Sequence, residues 1–479
     1  MNPKPVVTRF APSPTGFMHV GSVRTAIFAW LFARKNHGTF ILRIEDTDKE
    51  RQVLGSIEHI TDSLHWLGIT WDEGIEVGGS HGPYIQSQRL DSYKKYAQTL
   101  IDKGYAYPDP YTQEEVEQWR MQAEAQQRPF LFRDHRPHDT RKWDGIQPLR
   151  FKIPEIKRYT WHDMVRGNLS AGEEALDDFV LIKGDGYPTY NFAHVIDDLE
   201  MKVTHIIRGE EFISSTPKFL SLYDALSIKP PILATVPVVL APDGKKKLSK
   251  RDGAKDVLEY RKEGYLPEAI INFLSLLGWH PEGEQEVMSI AELTDAFELE
   301  RVQKGGAIFD NIKLRWMNQQ HLKRISDKEF IKQLTVLMNE RGEQVPTYTQ
   351  QILSLLRERS ATLGEAANML SSGEFNFYEA VSVDAALLMQ NVQADRETVK
   401  RHLEKVRILI EPTSGENFSA ERIKELIFPY ANEQGRGAVL WPLRVALSGK
   451  EKSPDPFTLA ELLGKDQTLQ RIKSALQVL

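Results

Sequence analysis

Pro5-Val-Val-Thr-Arg-Phe10, the loop Ala11-Pro-Ser-Pro-Thr-Gly-Phe-Met-His19-Val-Gly-Ser22 that follows it, and Phe40-Ile-Leu-Arg-Ile-Glu-Asp-Thr-Asp48 together decide how this chain folds. The first six residues have the β-branched and aromatic content of a short buried strand, and Pro12, Pro14 and Gly16 then force an irregular turn. Val23, Ala26, Ile27, Trp30 and Leu31 recur at three- and four-residue spacing, which predicts a helix; His37-Gly38 stops it and Phe40 to Ile44 resumes as a strand. Such a β-loop-α-β unit places the free N–H groups and positive dipole end of its helix near the carboxyl end of the first strand, where phosphate binds well. His19 and Ser22 fall at the helix start, three residues apart and therefore on one face, and Gly21 lets a ligand approach the backbone. The loop is neither a glycine-rich dinucleotide turn nor a Walker-type loop. Taken alone, His19 reads as a capping or surface histidine.

The rest of the chain gives that unit a context. Its 479 residues suffice for about two to four domains. Hydrophobic residues at 41% and charged residues at 27% are ordinary globular usage, and no repeat or low-complexity tract interrupts them. A strand begins directly after the first few residues, without a signal-type segment, and no apolar run is long enough for a membrane helix; a cytoplasmic monomer with no membrane contact is expected. Zero cysteines exclude disulfides, thiolate catalysis and any cysteine-based zinc site. A net charge of -6 does not decide about nucleic acid, because a local basic face can carry phosphate contacts on an acidic protein.

Helices are predicted from Gly55 to Leu67 and from Gln86 to Lys103, suiting a doubly wound sheet, so residues 1–106 read as the first half of a Rossmann-like domain. Frequent prolines, a polar helix over Glu114–Gln127 and short strand-like runs mark 107–184 as an insertion. Phe179–Ile182, Thr204–Ile207 and Leu233–Leu240 are apolar runs bounded by Gly, Asp or Pro, as expected of strands returning to the sheet, with 185–240 forming its second half. Residues 241–322 follow with helices at Val257–Glu263 and Pro267–Leu277. From 323 to 479 the chain reads as successive amphipathic helices: Asp327–Gly342, Tyr348–Leu363, Asp395–Ile410, Ser419–Glu433, Gly437–Leu447, Leu459–Leu463 and Asp466–Leu479. Composition makes this last region an all-helical packing domain and no more.

Lys245-Lys-Lys-Leu-Ser-Lys-Arg251 follows the turn Ala241-Pro-Asp-Gly244. Most lysine runs are solvated faces. This one follows a predicted buried strand and includes the small residue Ser249, with Gly253 two residues beyond it, features that suit a clamp on a polyphosphate. Phe10 to Gly16, His19-Val-Gly-Ser22 and Lys247-Leu-Ser-Lys-Arg251 together resemble the signature pair of class I aminoacyl-tRNA synthetases, in wording similar to the bacterial-type glutamyl enzymes. The motifs are strong at Arg9–Asp48, Gly186–Glu211 and Lys245–Gly253, weaker to Asn318, and architectural beyond it.

The resemblance implies a Rossmann-like catalytic domain whose insertion holds the tRNA acceptor end, a stem-contact segment over 241–322, and a helical anticodon-binding region, with two subdomains, over 323–479. It also implies attachment of L-glutamate to tRNA(Glu) through a glutamyl-adenylate, with ATP and its Mg2+ as substrate and tRNA bound before the amino acid is activated. Adenylate formation needs positioning and charge stabilisation rather than a general-base dyad. His19, Lys247 and Lys250 would carry it, and Gly21, Ser22 and Ser249 would complete the ATP site. Ser22 stands where class I enzymes often have a second histidine. For the side-chain carboxylate of glutamate an arginine offers two parallel hydrogen bonds. Arg9 and Arg208 each end a predicted strand and match the family pattern for this role, with Ser13, Glu45 and Tyr190 around the α-amino and α-carboxyl groups. The competing reading pairs Arg9 and Arg208 with Asp46 or Glu210.

His194 replaces an asparagine found in some relatives and is a further candidate contact. Asp197-Asp198 are read as structural rather than as a metal pair, on the ground that adjacent carboxylates diverge along an extended chain, and no resident metal is expected. Arg357 and Arg359 lie where relatives read the last anticodon base. Other readings are an enzyme that also charges tRNA(Gln), a catalytically silent tRNA-binding relative, the truncated paralogue that glutamylates a tRNA base, and a glutaminyl enzyme. The helical C-terminal region argues against the last two.

Overall fold

The computed structural model describes residues 5–138, 142–248, 255–373, 375–378, 381–390, 392 and 394–479, which form two compact units, 1–321 and 322–479. The first unit carries twelve strands among its described residues: β1 (Val7–Phe10), β2 (Thr39–Leu42), β3 (Glu73–Gly74), β4 (Ala106–Pro108), β5 (Leu149–Phe151), β6 (Tyr159–Asp163), β7 (Gly167–Ala171), β8 (Val180–Ile182), β9 (His205–Gly209), β10 (Ile232–Val236), β11 (Val239–Leu240) and β12 (Ala307–Ile308). β1, β2 and β3 run parallel in that order, with Arg9 opposite Ile41. β9 and β10 are also parallel, and Thr204 donates its N–H to the Val7 carbonyl (2.9 Å) and accepts from the Val7 N–H through its hydroxyl (2.8 Å), joining β9 to β1. Arg9 and Arg208 are thus the penultimate residues of two neighbouring strands.

The stretch 107–184 contributes to two sheets. β4, β5 and β8 make a separate antiparallel sheet, whereas the hairpin β6-β7 lies beside β10 and extends the sheet that holds β9.

Helix α1 (Val20–Lys35) is apolar on nearly every side because it is covered on every side. It packs on β1 and β2, and also on two later helices, Pro267–Ser275 and Ile290–Ala296. Val23, Ile27, Phe28 and Leu31 are fully buried, each contributing about 1.5–3 kcal/mol by removal from water. Helix α2 (Ser56–Leu67) runs between glycine caps in the left-handed region, Gly55 (φ 76°) and Gly68 (φ 71°), and packs against Pro267–Ser275. The region expected as one helix from Gln86 opens as a 3-10 turn, Gln86–Gln88, and continues as α3 (Leu90–Asp102). Pro237, which has no N–H for a ladder, separates β10 from β11 within the single run read from the sequence.

The second unit has no strand among its described residues. Its principal helices are Asp327–Glu340, Leu353–Arg359, Leu363–Ser371, Arg396–Ile410, Ala420–Gln434, Arg436–Ser448 and Pro456–Val478. The helix predicted over Tyr348–Leu363 is instead broken: Ser360 is extended, and Thr362 accepts the Glu365 N–H to cap a new helix. The last two predicted helices are present as two: the span Pro456–Val478 is kinked at Gly464, whose backbone is non-helical (φ 72°). No helix among the described residues is long and apolar enough to cross a membrane.

Candidate active site

A cleft of about 990 Å³ opens at the carboxyl ends of β1 and β9 and the N-terminus of α1. It brings together Arg9, Ser13, His19, Gly21, Ser22 and Glu45 from the first β-loop-α-β unit with Tyr190, Arg208 and Lys247 from far downstream. Ser249 and Lys250 lie outside the described residues.

At the helix end of the cleft, His19 caps α1, its Nδ1 accepting the Gly21 N–H at 3.1 Å. An acceptor Nδ1 places the proton of a neutral imidazole on Nε2, which makes the ring a donor suited to a phosphate oxygen. Capping through Nδ1 is compatible with the ligand role expected of His19. A Cβ at position 21 would stand 3.1 Å from the His19 ring, so glycine is the residue that leaves this cap room. Ser22 donates its hydroxyl to the His19 carbonyl (2.9 Å), a local bond within the first helical turn. Lys247 is exposed, and its Nζ lies 3.4 Å from Glu211, at the rim of the cleft.

Behind the strand ends lies a buried charge network. Arg9 donates through Nε to Asp198 (3.1 Å) and through Nη1 to the Ile207 carbonyl (3.4 Å). Arg43, wholly buried, bonds Asp198 (2.8 Å) and Glu45 (3.0 Å). Burial raises the Asp198 carboxyl, but the guanidiniums of Arg9 and Arg43 outweigh it and hold the group at about 2. Glu45 has less compensation: burial pushes it up to about 7 against the pull of Arg43 and Arg9.

Arg208 differs from Arg9. It is buried, lies over the Phe212 and Phe219 rings at 5.5 and 5.0 Å, and bonds Thr216 through Nη2 at 2.9 Å. Its Nε and Nη1 have no hydrogen-bond partner among the described residues, and burial pulls the guanidinium below its ordinary value. Neither expected alternative pairing is present: Asp46 accepts from Lys49 and the Ser87 N–H, and Glu210 is held by Arg166. Burial raises the Tyr190 hydroxyl well above its usual range, keeping it a neutral donor at the cleft wall.

His194 stands behind that wall. It stacks on Tyr190 (4.6 Å between centroids) and gives its Nδ1 proton to the Tyr190 carbonyl (2.7 Å); burial lowers it to about 3, so it is a neutral packing residue that does not line the cleft. Asp197 and Asp198 are structural, though not for the reason read from the sequence. They sit in the helix Tyr190–Glu200, where Asp197 accepts from Gln86, Arg89 and Tyr93 while Asp198 serves Arg9 and Arg43. Arg43 and Asp198 went unassigned as site residues in the sequence. The signal was a charged residue inside the apolar run Phe40–Ile44, which a buried strand tolerates only with a partner.

In the second unit, Arg357 is engaged by its own fold. It bonds the Leu322 carbonyl (2.8 Å), the Ile325 carbonyl and Asp327 (2.5 Å), whereas Arg359 is exposed at the end of its helix.

The model of the class I tRNA synthetase (E and Q) catalytic domain matches residues 5–316, and that of an anticodon binding domain matches 317–476. The chain is 40% identical to the glutamate-tRNA ligase of Moorella thermoacetica, with 98% of each chain covered, and 42% identical to that of Carboxydothermus hydrogenoformans, covering 98% of this chain and 99% of the other. A solved glutamate tRNA ligase from Elizabethkingia meningosepticum, in complex with its amino acid, superposes with a TM-score of 0.84 at 37% identity, over 99% of this chain and 100% of the other. This chain belongs to the glutamate-tRNA ligase family of class I tRNA synthetases.

Proposed function

We propose that the chain attaches L-glutamate to tRNA(Glu) in two steps, with Mg2+-ATP as the activating substrate and a glutamyl-adenylate as the intermediate. The observation that carries this reading is Arg208, a buried guanidinium with two nitrogens unpartnered among the described residues, lining the same cleft as the N-terminus of α1. Such a group is costly unless a substrate carboxylate completes it. Arg208 and Arg9 would take the side-chain carboxylate of glutamate. Glu45 would take the α-ammonium, with Ser13 and Tyr190 beside the α-carboxylate, which must remain free to attack the α-phosphate as pyrophosphate leaves.

On the nucleotide side, Nε2 of His19 and the first N–H groups of α1 would meet phosphate oxygens, with Gly21 and Ser22 at the helix start. Lys247, Ser249 and Lys250 would bring positive charge and a hydroxyl to the polyphosphate as charge develops on the departing oxygens. Mg2+ would arrive on ATP and leave with pyrophosphate. Residues 107–184 would receive the acceptor end, 241–322 the stem, and 323–479 the anticodon. The reading takes the enzyme as a cytoplasmic monomer, since one chain supplies every group named.

Charging of purified tRNA(Glu) with labelled glutamate, alongside glutamine and aspartate, tests it. ATP-dependent transfer of glutamate alone is the expected result. Transfer of glutamine in preference to glutamate, or of neither, would overturn it.

A further inference from the structure

His59, on the first turns of α2, lies outside every motif discussed above and does not line the cleft. Its ring is nonetheless bound on all its polar atoms. The side chain is 11% exposed and stacks on Phe17 with centroids 4.5 Å apart. Nδ1 receives the backbone N–H of Met18 at 3.3 Å, and Nε2 lies 2.8 and 2.7 Å from the two oxygens of Asp256. A backbone N–H can only donate, so Nδ1 is the bare nitrogen and the ring proton sits on Nε2, donated to the carboxylate.

The two partners of His59 frame His19. Met18 precedes it, and Asp256 pairs with His19 in an isolated antiparallel bridge. Val257 donates its N–H to the Met18 carbonyl (3.1 Å), so both polar groups of the Met18 backbone are held, one by His59 and one by the segment His59 anchors. Asp256 in turn caps the helix Val257–Lys262 through the Leu258 N–H (2.9 Å). The other residues of α2 and its approach support the same loop: Ser56 donates to the Gly16 carbonyl (2.8 Å) and Val53 to the Pro14 carbonyl (2.9 Å). His59 is the member of this set that reaches across 197 residues of sequence to join the two segments flanking His19.

We propose that His59 is a positioning residue for glutamate activation: by holding Met18 and Asp256 it fixes the backbone from which His19 reaches the nucleotide. The inference rests on the proposed reaction, in which His19 meets the phosphates. A donor aimed at charge that develops only in the transition state loses its effect when displaced by about 1 Å, and the loss appears in kcat rather than in amino-acid binding.

The test uses the full chain, charging tRNA with glutamate, as wild type, His59→Ala, His59→Gln, His19→Ala and the double variant His59→Ala/His19→Ala. Relative to wild type, His59→Ala should lower kcat by about tenfold or more while KM for glutamate stays within about twofold. His59→Gln, whose amide N–H can still donate to Asp256, should recover part of the rate. In the His19→Ala background the additional loss from His59→Ala should nearly vanish, because both act through one side chain. Unchanged kcat in a folded His59→Ala protein, or losses that multiply fully in the double variant, would overturn the assignment by showing a role in stability or one independent of His19. If His59→Ala fails to fold, Asp256→Asn, which keeps an amide oxygen for the helix cap but removes the charged partner of Nε2, carries the same comparison. A wild-type chain that does not charge tRNA with glutamate would sink the functional reading itself, a result distinct from any of these.

Discussion

The Nε of Arg9 and the carboxylate of Asp198 meet at 3.1 Å, both side chains buried, between the end of β1 and the last turn of the helix Tyr190–Glu200. The contact turns one edge of the guanidinium into the protein, toward Asp198 and the Ile207 carbonyl, and Arg9 still lines the cleft. Arg43 shares the same carboxylate and also holds Glu45. One buried acid thereby sets the direction of an arginine proposed to bind a carboxylate and, through Arg43, of the acid proposed to bind an ammonium. Opposite ends of a zwitterionic dicarboxylate would be held by groups locked in one network.

Arg208 stands outside that network, and its substitution should separate stability from function. In Arg208→Met a buried cation with unpartnered donors gives way to an apolar chain of similar length, which should stabilise the fold by on the order of 1–3 kcal/mol after the lost contacts with Phe212 and Phe219 are counted. The same change would remove the proposed partner of a substrate carboxylate. KM for glutamate should rise by at least about a hundredfold while KM for ATP moves little. Urea unfolding and charging kinetics on one preparation decide it: a destabilised variant that still binds glutamate normally would make Arg208 a structural residue.

Glu45 sets a pH dependence. With its carboxyl raised to about 7 by burial, against the opposing pull of Arg43 and Arg9, the group in the empty site is protonated below that pH and ionised above it. An α-ammonium binds the carboxylate, so at low pH glutamate must first expel a proton. KM for glutamate should therefore fall as pH rises through about 7 and then level off, and Glu45→Gln should weaken binding and flatten the profile. A wild-type KM independent of pH between about 6 and 8 would remove Glu45 from contact with the ammonium.

The first β-loop-α-β unit was legible because its signals are local. Apolar spacing gives α1, prolines and Gly16 give the turn, and the residues that line the cleft at its start are those the motif names. What escaped is carried by long-range contacts. No local pattern says that Asp198 will lie against Arg9, 189 positions away, or that the two adjacent aspartates sit on a helix and serve different arginines. The break at Ser360 was missed for a smaller reason. Thr362 and Glu365 carry an N-cap spacing, but Leu and Ile at helical intervals run across it and favour one continuous helix.

Arg357 and Arg359 matched one expectation and now diverge. Arg357 satisfies the Leu322 carbonyl near the C-terminal end of the helix Asn311–Arg324, bonds the Ile325 carbonyl just beyond it, and pairs with Asp327, so Arg357→Ala should destabilise the second unit by about 1–3 kcal/mol. Arg359 is exposed, and Arg359→Ala should cost the fold less, about 1 kcal/mol or under even where a surface contact is lost. If the helical unit binds the anticodon, weaker tRNA binding at a little-changed melting temperature belongs to Arg359. Filter binding of tRNA(Glu) to both variants, with thermal melts, separates the two; equal losses of affinity without loss of stability would contradict the structural role of Arg357.

Removing the second unit should reveal how far chemistry depends on it. Every described residue lining the cleft lies at or before Lys247, within the unit that ends at residue 321. That unit has its own extensive core, built on α1, so a chain ending at Arg324 should fold and bind ATP. It should no longer charge tRNA, because the helices proposed to contact the anticodon are gone. It should also lose glutamate-dependent pyrophosphate exchange, if, as in the proposed reaction, bound tRNA selects the ATP pose in which the α-phosphate faces the attacking carboxylate. Adding tRNA(Glu) at high concentration to the shortened protein distinguishes weak binding from lost coupling: exchange restored by excess tRNA means that the distal helices supply affinity alone. Free exchange without any tRNA would show instead that the productive pose is built into the first unit, and the proposed coupling would be wrong even though glutamate activation stands.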